Sequence, residues 1–317
     1  MQKAIGKAKP IIFAILVVTT ILLVGRVSMM PVNAVEGENI TTNVSVGNSA
    51  PTMGVIVCDP ISDGNFTPDV GANKSMSCWT VVIDDNGYGE VNQTSLDTNF
   101  YSDSIDGADD LNTHYSNGTS SNVATDCTWT NATGTNITVN CTYYIRYFID
   151  PSAGGWTVNF TVNDTSAETG SAAKVLGVAT TLGLDVINTS IEFGSLALGG
   201  ESQRTTDVLN TCNQQIDVKL RESQNSGYLD CPGATDIATD NGDTDGIKYN
   251  ATTFSWPEGI SLTDTSTAYT AFDLNYYDAT GTSDGESTKT LYWRIKIPSA
   301  GVSGVCTGQT EFVAVAG

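Results

Sequence analysis

Histidine is almost absent from this chain of 317 residues, with His114 the only one. Chemistry built on several histidines is therefore excluded, and no cysteine or serine has a recognisable histidine partner as a nucleophile. Basic side chains are scarce too, 14 Lys and Arg against 35 Asp and Glu, for a formal charge of −21. Four of the basic residues (Lys3, Lys7, Lys9, Arg26) lie in an N-terminal leader, so residues 35–317 carry 10 basic against 35 acidic groups, or −25. Such a surface repels phosphate backbones and excludes a nucleic-acid partner. The chain also lacks G-x-S-x-G, H-E-x-x-H, a P-loop, G-x-G-x-x-G after a strand, and any C-x-x-C. The acids offer many carboxylate pairs of the glycosidase kind and single out none. The expectation is a protein that is not an enzyme. Disorder is not expected either, because 40% of the residues are hydrophobic and only 15% charged.

The leader sets the compartment. Residues 1–10 hold three lysines and no acid, residues 11–24 (IIFAILVVTTILLV) form an apolar run, and Val32-Asn33-Ala34 ends in small residues. This reads as a secretory signal peptide over 1–34, cut after Ala34, with an uncleaved anchor as the alternative. Either way residues from 35 onward are extracellular, and the membrane is met only through the N-terminal segment. Thirteen Asn-x-Ser/Thr sequons agree, at Asn39, Asn43, Asn65, Asn73, Asn92, Asn117, Asn131, Asn136, Asn140, Asn159, Asn163, Asn188 and Asn250. Their density predicts a glycosylated exterior, although Thr- and Asn-rich strand faces generate some by accident. All seven cysteines (58, 78, 127, 141, 212, 231, 306) lie in the exported part, where disulfides are their natural use.

No stretch beyond the leader keeps a helical period. Alternating segments recur instead, such as Trp79–Ile83, Tyr143–Ile149, Trp156–Val162, Ile216–Leu220 and Leu291–Ile297. In the third, Trp156, Val158, Phe160 and Val162 share one face and Thr157, Asn159 and Thr161 the other, as in a half-buried antiparallel strand. Many short strands between Gly/Asn/Asp/Ser turns predict an all-β protein. Roughly 150 residues per domain predicts two domains in tandem, over 50–182 and 183–317, after a strand or linker over 35–49.

Tyr147-Phe-Ile-Asp-Pro-Ser-Ala-Gly-Gly-Trp-Thr-Val-Asn-Phe-Thr-Val-Asn-Asp164 resembles the strand–turn–strand segment of PKD-like and other immunoglobulin-like extracellular domains. Cys78-Trp79 through Asp84-Asp-Asn-Gly-Tyr88 is similar to an aspartate-rich strand end of the same families. Ile191-Glu-Phe-Gly-Ser-Leu-Ala-Leu-Gly-Gly200, Val208-Leu-Asn-Thr-Cys-Asn213 and the end from Trp293 to Val315 resemble a module of prokaryotic, notably archaeal, secreted surface proteins. The resemblance implies immunoglobulin-like β-sandwiches and says little about activity. Cys212 and Cys306 depart from that module, which suggests a bridge between them if their strands are neighbours. Cys127 and Cys141 flank a turn and suit a hairpin staple. Cys58 and Cys78 then pair, leaving Cys231 either free and buried or linking two molecules.

Three acidic clusters are candidates for calcium: Asp84, Asp85, Asn86 and Glu90; Asp103, Asp106, Asp109 and Asp110; and Asp236 to Asp245. The second is preferred, against the plainer reading that Asp and Asn make turns and keep the protein soluble. His114 beside it is expected on a surface loop. Trp79, Trp156 and Trp293 read as core, leaving Trp129 and Trp256 as candidate carbohydrate platforms. Asn39-Ile-Thr-Thr-Asn-Val-Ser-Val-Gly47 alternates weakly and reads as the protein's own first strand, a glycosylated tether, or a strand added to a neighbouring subunit. The expected function is non-catalytic, structural or adhesive at the cell surface. The alternatives are a self-assembling filament or surface-layer subunit, and a carbohydrate-binding module. Expected partners are surface proteins, glycans or the chain itself.

Overall fold

The structure is a computed structural model that describes residues 43–103, 107–116 and 126–317. The leader, Asn39, Asp106 and Asn117 lie outside the described residues. The chain divides into Met1–Gly47 and the compact unit Asn48–Gly317. Among the described residues there is no α-helix, only a 3-10 turn at Tyr88–Glu90, and no helix long and apolar enough to cross a membrane. The protein is all-β.

Ten strands come first: β1 (Thr52–Met53), β2 (Val57–Asp59), β3 (Asn65–Phe66), β4 (Lys74–Ile83), β5 (Val91–Tyr101), β6 (His114–Ser116), β7 (Asp126–Thr133), β8 (Asn136–Ile145), β9 (Ser152–Asp164) and β10 (Thr169–Val178). They make two sheets, β1-β4-β8-β7 with β2 also on β4, and β3-β10-β9-β5-β6. Period-two alternation decides what lies between them. Met76, Cys78 and Val82 of β4 and Ile137, Val139, Cys141 and Tyr143 of β8 face Phe100 of β5 and Trp156, Val158, Phe160 and Val162 of β9. Phe100 packs on Trp156 of its own sheet, ring centres 4.4 Å apart, and reaches across to Tyr143 of the other sheet at 5.9 Å, joining the layers. Trp79 belongs to the other face of β4 and is half-buried there, not in the core. The expected strand over Tyr143–Ile149 stops at Ile145, and residues 146–151 turn, burying Phe148 and Ile149 at the end of the core.

The remaining strands are β11 (Leu184–Val186), β12 (Glu201–Asn210), β13 (Ile216–Glu222), β14 (Tyr228–Leu229), β15 (Ile237–Ala238), β16 (Asp240–Asn241), β17 (Asp245–Asn250), β18 (Ile260–Ser261), β19 (Thr267–Leu274), β20 (Ser287–Lys296) and β21 (Thr310–Ala316). Sheets β11-β12-β20-β17-β16, with β18 on β17, and β19-β13-β21 enclose a second core. Leu291, Trp293 and Ile295 of β20 point inward, while Arg294 and Lys296 point outward.

The two cores are tied by a segment that the strand pattern does not announce. Residues 275–286, between β19 and β20, leave the second core, and Tyr276, Tyr277 and Ala279 pack against the first. Asn112, 3% exposed, receives them. Its amide donates to the carbonyls of Phe148 (2.9 Å) and Tyr277 (3.0 Å) and to Asp150 (3.2 Å), and its side-chain oxygen accepts from the N–H of Ala279. The Tyr276 hydroxyl donates to Asp150 at 3.0 Å, and Arg146 pairs with Asp284 at 2.8 Å. Burial, with the Asp150 carboxylate beside it, pushes the Tyr276 phenol up to about 12. Burial also raises the Asp150 carboxyl above its ordinary value, against the hydrogen bonds from Tyr276 and Asn112. At the covalent joint, the buried Asn213 accepts from the Thr181 N–H (2.8 Å) and donates to the Ala179 carbonyl (2.9 Å). Asn112→Ala strands several buried polar groups at about 1–3 kcal/mol each. The expected loss is about 3–5 kcal/mol in denaturant unfolding, and Asn112→Asp, which sets a second carboxylate against Asp150, is expected to be as damaging. A loss below about 1 kcal/mol would show that the segment is not held by this side chain.

Candidate functional site

The second core is open along one side. β11 covers only the last three residues of β12, and β21 is paired only by β13 among the described residues. A cleft of about 1550 Å³ opens beside these edges. Its floor includes Ile247, Leu262, Trp293, Ile295 and Ile297, one wall is the irregular segment 187–198, and the other is residues 302–309 leading into β21. The first wall follows β12 without pairing along it. Ile191, Phe193 and Leu196 turn onto the core, while Arg204 of β12 donates to the carbonyls of Glu192 (2.7 Å) and Phe193 (3.1 Å). Gly194, at φ 80°, supplies the left-handed turn that lets the chain leave that grip. Trp293 is 1% exposed, and its indole N–H has no partner among the described residues.

The edge of β21 has a definite polarity. Ser223 donates to the Gln309 carbonyl (2.8 Å) and Gly317 to the Gln215 carbonyl (3.1 Å), so odd-numbered residues of β21 bond to β13. The N–H and C=O groups of Thr310, Phe312, Ala314 and Ala316 therefore face the free edge. Phe312 and Ala314 pack on the core, while Val313 on the other face is 40% exposed. Proteins usually guard edges with charge, proline or brevity. Here seven residues carry one charge, Glu311, which is paired with Arg221.

Glu222, at the end of β13 on the rim, is 2% exposed. Its carboxylate accepts the N–H groups of Gln224 (2.9 Å), Asn225 (2.9 Å) and Gly227 (3.0 Å). Burial raises its carboxyl, but the backbone donors, that of Gln309 among them, outweigh this and hold it below the ordinary glutamate value. A depressed carboxyl contributes stability above its unfolded value, and that stability is lost as pH falls through the lower folded value. Glu222→Gln is expected to cost about 1–3 kcal/mol at neutral pH. The gap to the parent should close in acid, and urea unfolding at both ends of the range checks it; a gap independent of pH would contradict this assignment.

The sequence-predicted residues fare unevenly. Of the calcium candidates, Asp103 accepts from His114 (3.3 Å), Asp109 from the Ser116 hydroxyl (2.6 Å), and Asp110 from the N–H groups of Asn112 (2.8 Å) and Gly281 (3.3 Å). No metal-binding group of His, Cys, Asp or Glu exists among the described residues. His114 is not on a surface loop: it is 1% exposed in β6, stacked on Tyr101, with Nε2 3.1 Å from Asn99 Oδ1. Asn159 is 6% exposed, its amide donating to the Thr161 hydroxyl, and is not an accessible sequon. Asn43, Asn73, Asn131, Asn136 and Asn188 are exposed, and Asn65, Asn92, Asn140, Asn163 and Asn250 are half-buried. Trp129 packs partly against the first core. The Trp256 ring lies under the amines of Lys248 (5.4 Å) and Lys296 (5.7 Å).

Disulfides join Cys58 to Cys78, Cys127 to Cys141, and Cys231 to Cys306. The expected Cys212–Cys306 bridge is therefore wrong, and Cys231 is not the unpaired cysteine. Asp230 and Thr307 exchange backbone hydrogen bonds of 2.8 and 2.9 Å, which sets Cys231 beside Cys306 on the wall of the cleft. Cys212 is buried at the end of β12, its thiol against Asn210 Oδ1 (3.0 Å), and burial pushes that thiol up. Alkylation of the unfolded, unreduced protein is expected to mark Cys212 alone, with a Cys231–Cys306 cross-linked peptide in the digest. A Cys212–Cys306 peptide would overturn this pairing.

No protein-family model and no curated protein matches the chain. Among solved structures it is similar to one of the complex of CsuC with the tip adhesion subunit CsuE, from archaic chaperone-usher Csu pili of Acinetobacter baumannii. The identity is 9% and the TM-score 0.34, over 81% of this chain and 99% of that one. It is also similar to a structure from work on promiscuous carbohydrate-binding modules of the β-sandwich superfamily, at 12% identity and TM-score 0.24, over 85% of this chain and 97% of that one. At such scores neither likeness bears on function.

Proposed function

We propose that this chain is an exported, N-glycosylated, non-catalytic protein of the cell surface with a structural or adhesive role. On this reading residues 50–182 and 183–317 are two tandem immunoglobulin-like domains, and other surface proteins, glycans or further copies of the chain are the partners. The observation that carries it is the cleft. At about 1550 Å³ it exceeds the roughly 300–1,000 Å³ of ordinary small-molecule sites. Its floor is apolar and its border is an uncovered strand, which suits a polypeptide better than a reacting small molecule. Further support comes from three disulfides, which belong to oxidising surroundings, and from five exposed sequons among the described residues.

Protease treatment of intact cells, followed by glycopeptide mass spectrometry, tests this reading. The chain should be released or cut without lysis, with glycans at exposed sites such as Asn73, Asn131 and Asn188 and a bare Asn159. A chain protected inside the cell, with every sequon unmodified, would refute it.

A further inference from the structure

We propose that the free edge of β21 and the cleft beside it accept residues 40–46 of a second copy of this chain, added as a strand. This rests on the surface reading above, because export is what brings the copies together at the cell exterior.

The acceptor demands a strand. The unpaired N–H and C=O groups of Thr310, Phe312, Ala314 and Ala316 form a ladder that an extended peptide satisfies along its whole length. The other long edges are more polar: β7 carries Asp126, three threonines and the exposed Asn131, β19 carries Thr267, Thr270 and Asp273, and the uncovered part of β12 carries Glu201, Arg204 and Asp207. The sequence Val313-Ala-Val-Ala316 has no such guard.

The donor fits by pattern, length and charge. Ile40, Thr42, Val44 and Val46 share one face of an extended strand, and Thr41, Asn43 and Ser45 share the other. Residues 43–47 form neither helix nor strand, and Val44 and Val46 are 83% and 79% exposed. Seven residues match the seven of β21. No charged residue lies between Glu38 and Asp59, so the donor strand itself brings no ion onto the apolar floor of the cleft, in a chain of formal charge −21. The sequons Asn39 and Asn43 fall on the opposite face, so glycans there stay outside a filled cleft.

Two variants of the full chain separate the halves of the contact. V44D/V46D spoils the donor at exposed positions. A314P removes one free-edge N–H while leaving every β13 hydrogen bond in place. Light scattering and negative-stain microscopy should show polymers for the parent and monomers for each variant alone. Mixing the two variants should give dimers and nothing larger, because one retains only a donor and the other only an acceptor. A fluorescent peptide spanning 39–47 should bind V44D/V46D and not A314P, and near-UV circular dichroism shows whether A314P is folded. If A314P does not fold, saturable binding of the peptide to V44D/V46D, relieved by excess unlabelled peptide, carries the test.

A monomeric parent, a mixture without dimers, or polymers persisting in V44D/V46D would each overturn the proposal. The protease and glycan results would be untouched by any of these, so the surface reading stands or falls separately.

Discussion

The tie between the two cores is centred on one buried carboxamide, that of Asn112. Asn112 uses both ends of its side chain, three acceptors on the donor side and one N–H on the other, to hold a segment that belongs by sequence to the second core. A group so placed has no favourable alternative, because leaving the site strands polar atoms where water does not reach. Asn213 does the same work on a smaller scale at the covalent joint. Asn48–Gly317 is consequently a single compact unit and not two beads on a string.

That stiffness gives the open side of the second core its meaning. A sandwich that fails to cover one edge is a liability in a protein exposed to its own copies. Here the opening is maintained by specific interactions: Arg204 grips two carbonyls to fix one wall, and the Cys231–Cys306 disulfide fixes the other. Glu222 closes the loop at the rim with backbone donors.

The all-β architecture was legible because strand alternation is local. Trp156, Val158, Phe160 and Val162 announce one buried face within seven residues, and Leu291, Trp293 and Ile295 do so again. The misreadings share a different cause. His114 looked like a loop residue because what buries it, Tyr101, Asn99 and Asp103, is set by the pairing of β5 with β6 and by no pattern around residue 114. Asn159 had the alternation of a solvent-facing residue, but a central strand flanked by β5 and β10 leaves it little room. Cys306 was assigned the wrong partner because the Asp230–Thr307 bridge joins residues far apart in sequence and leaves no mark on either segment. The cleft was the least legible feature, since an edge left unpaired is a property of topology, and Val313-Ala-Val-Ala316 reads like any closing strand.

The clamp at Asn112 has a geometric corollary. Asn48 and Ser49, bonded to Asp164 and Asn86, anchor the chain on the first core just after the proposed donor strand, and β21 of the second core is its proposed acceptor. Both anchor and acceptor belong to the one compact unit Asn48–Gly317, so a single rotation and translation relate them. Repeating a fixed screw operation head to tail generates a helix of set pitch and hand unless the rotation happens to close a ring. The shape of any fibre assembled through these two points is thus set by the geometry within a single subunit.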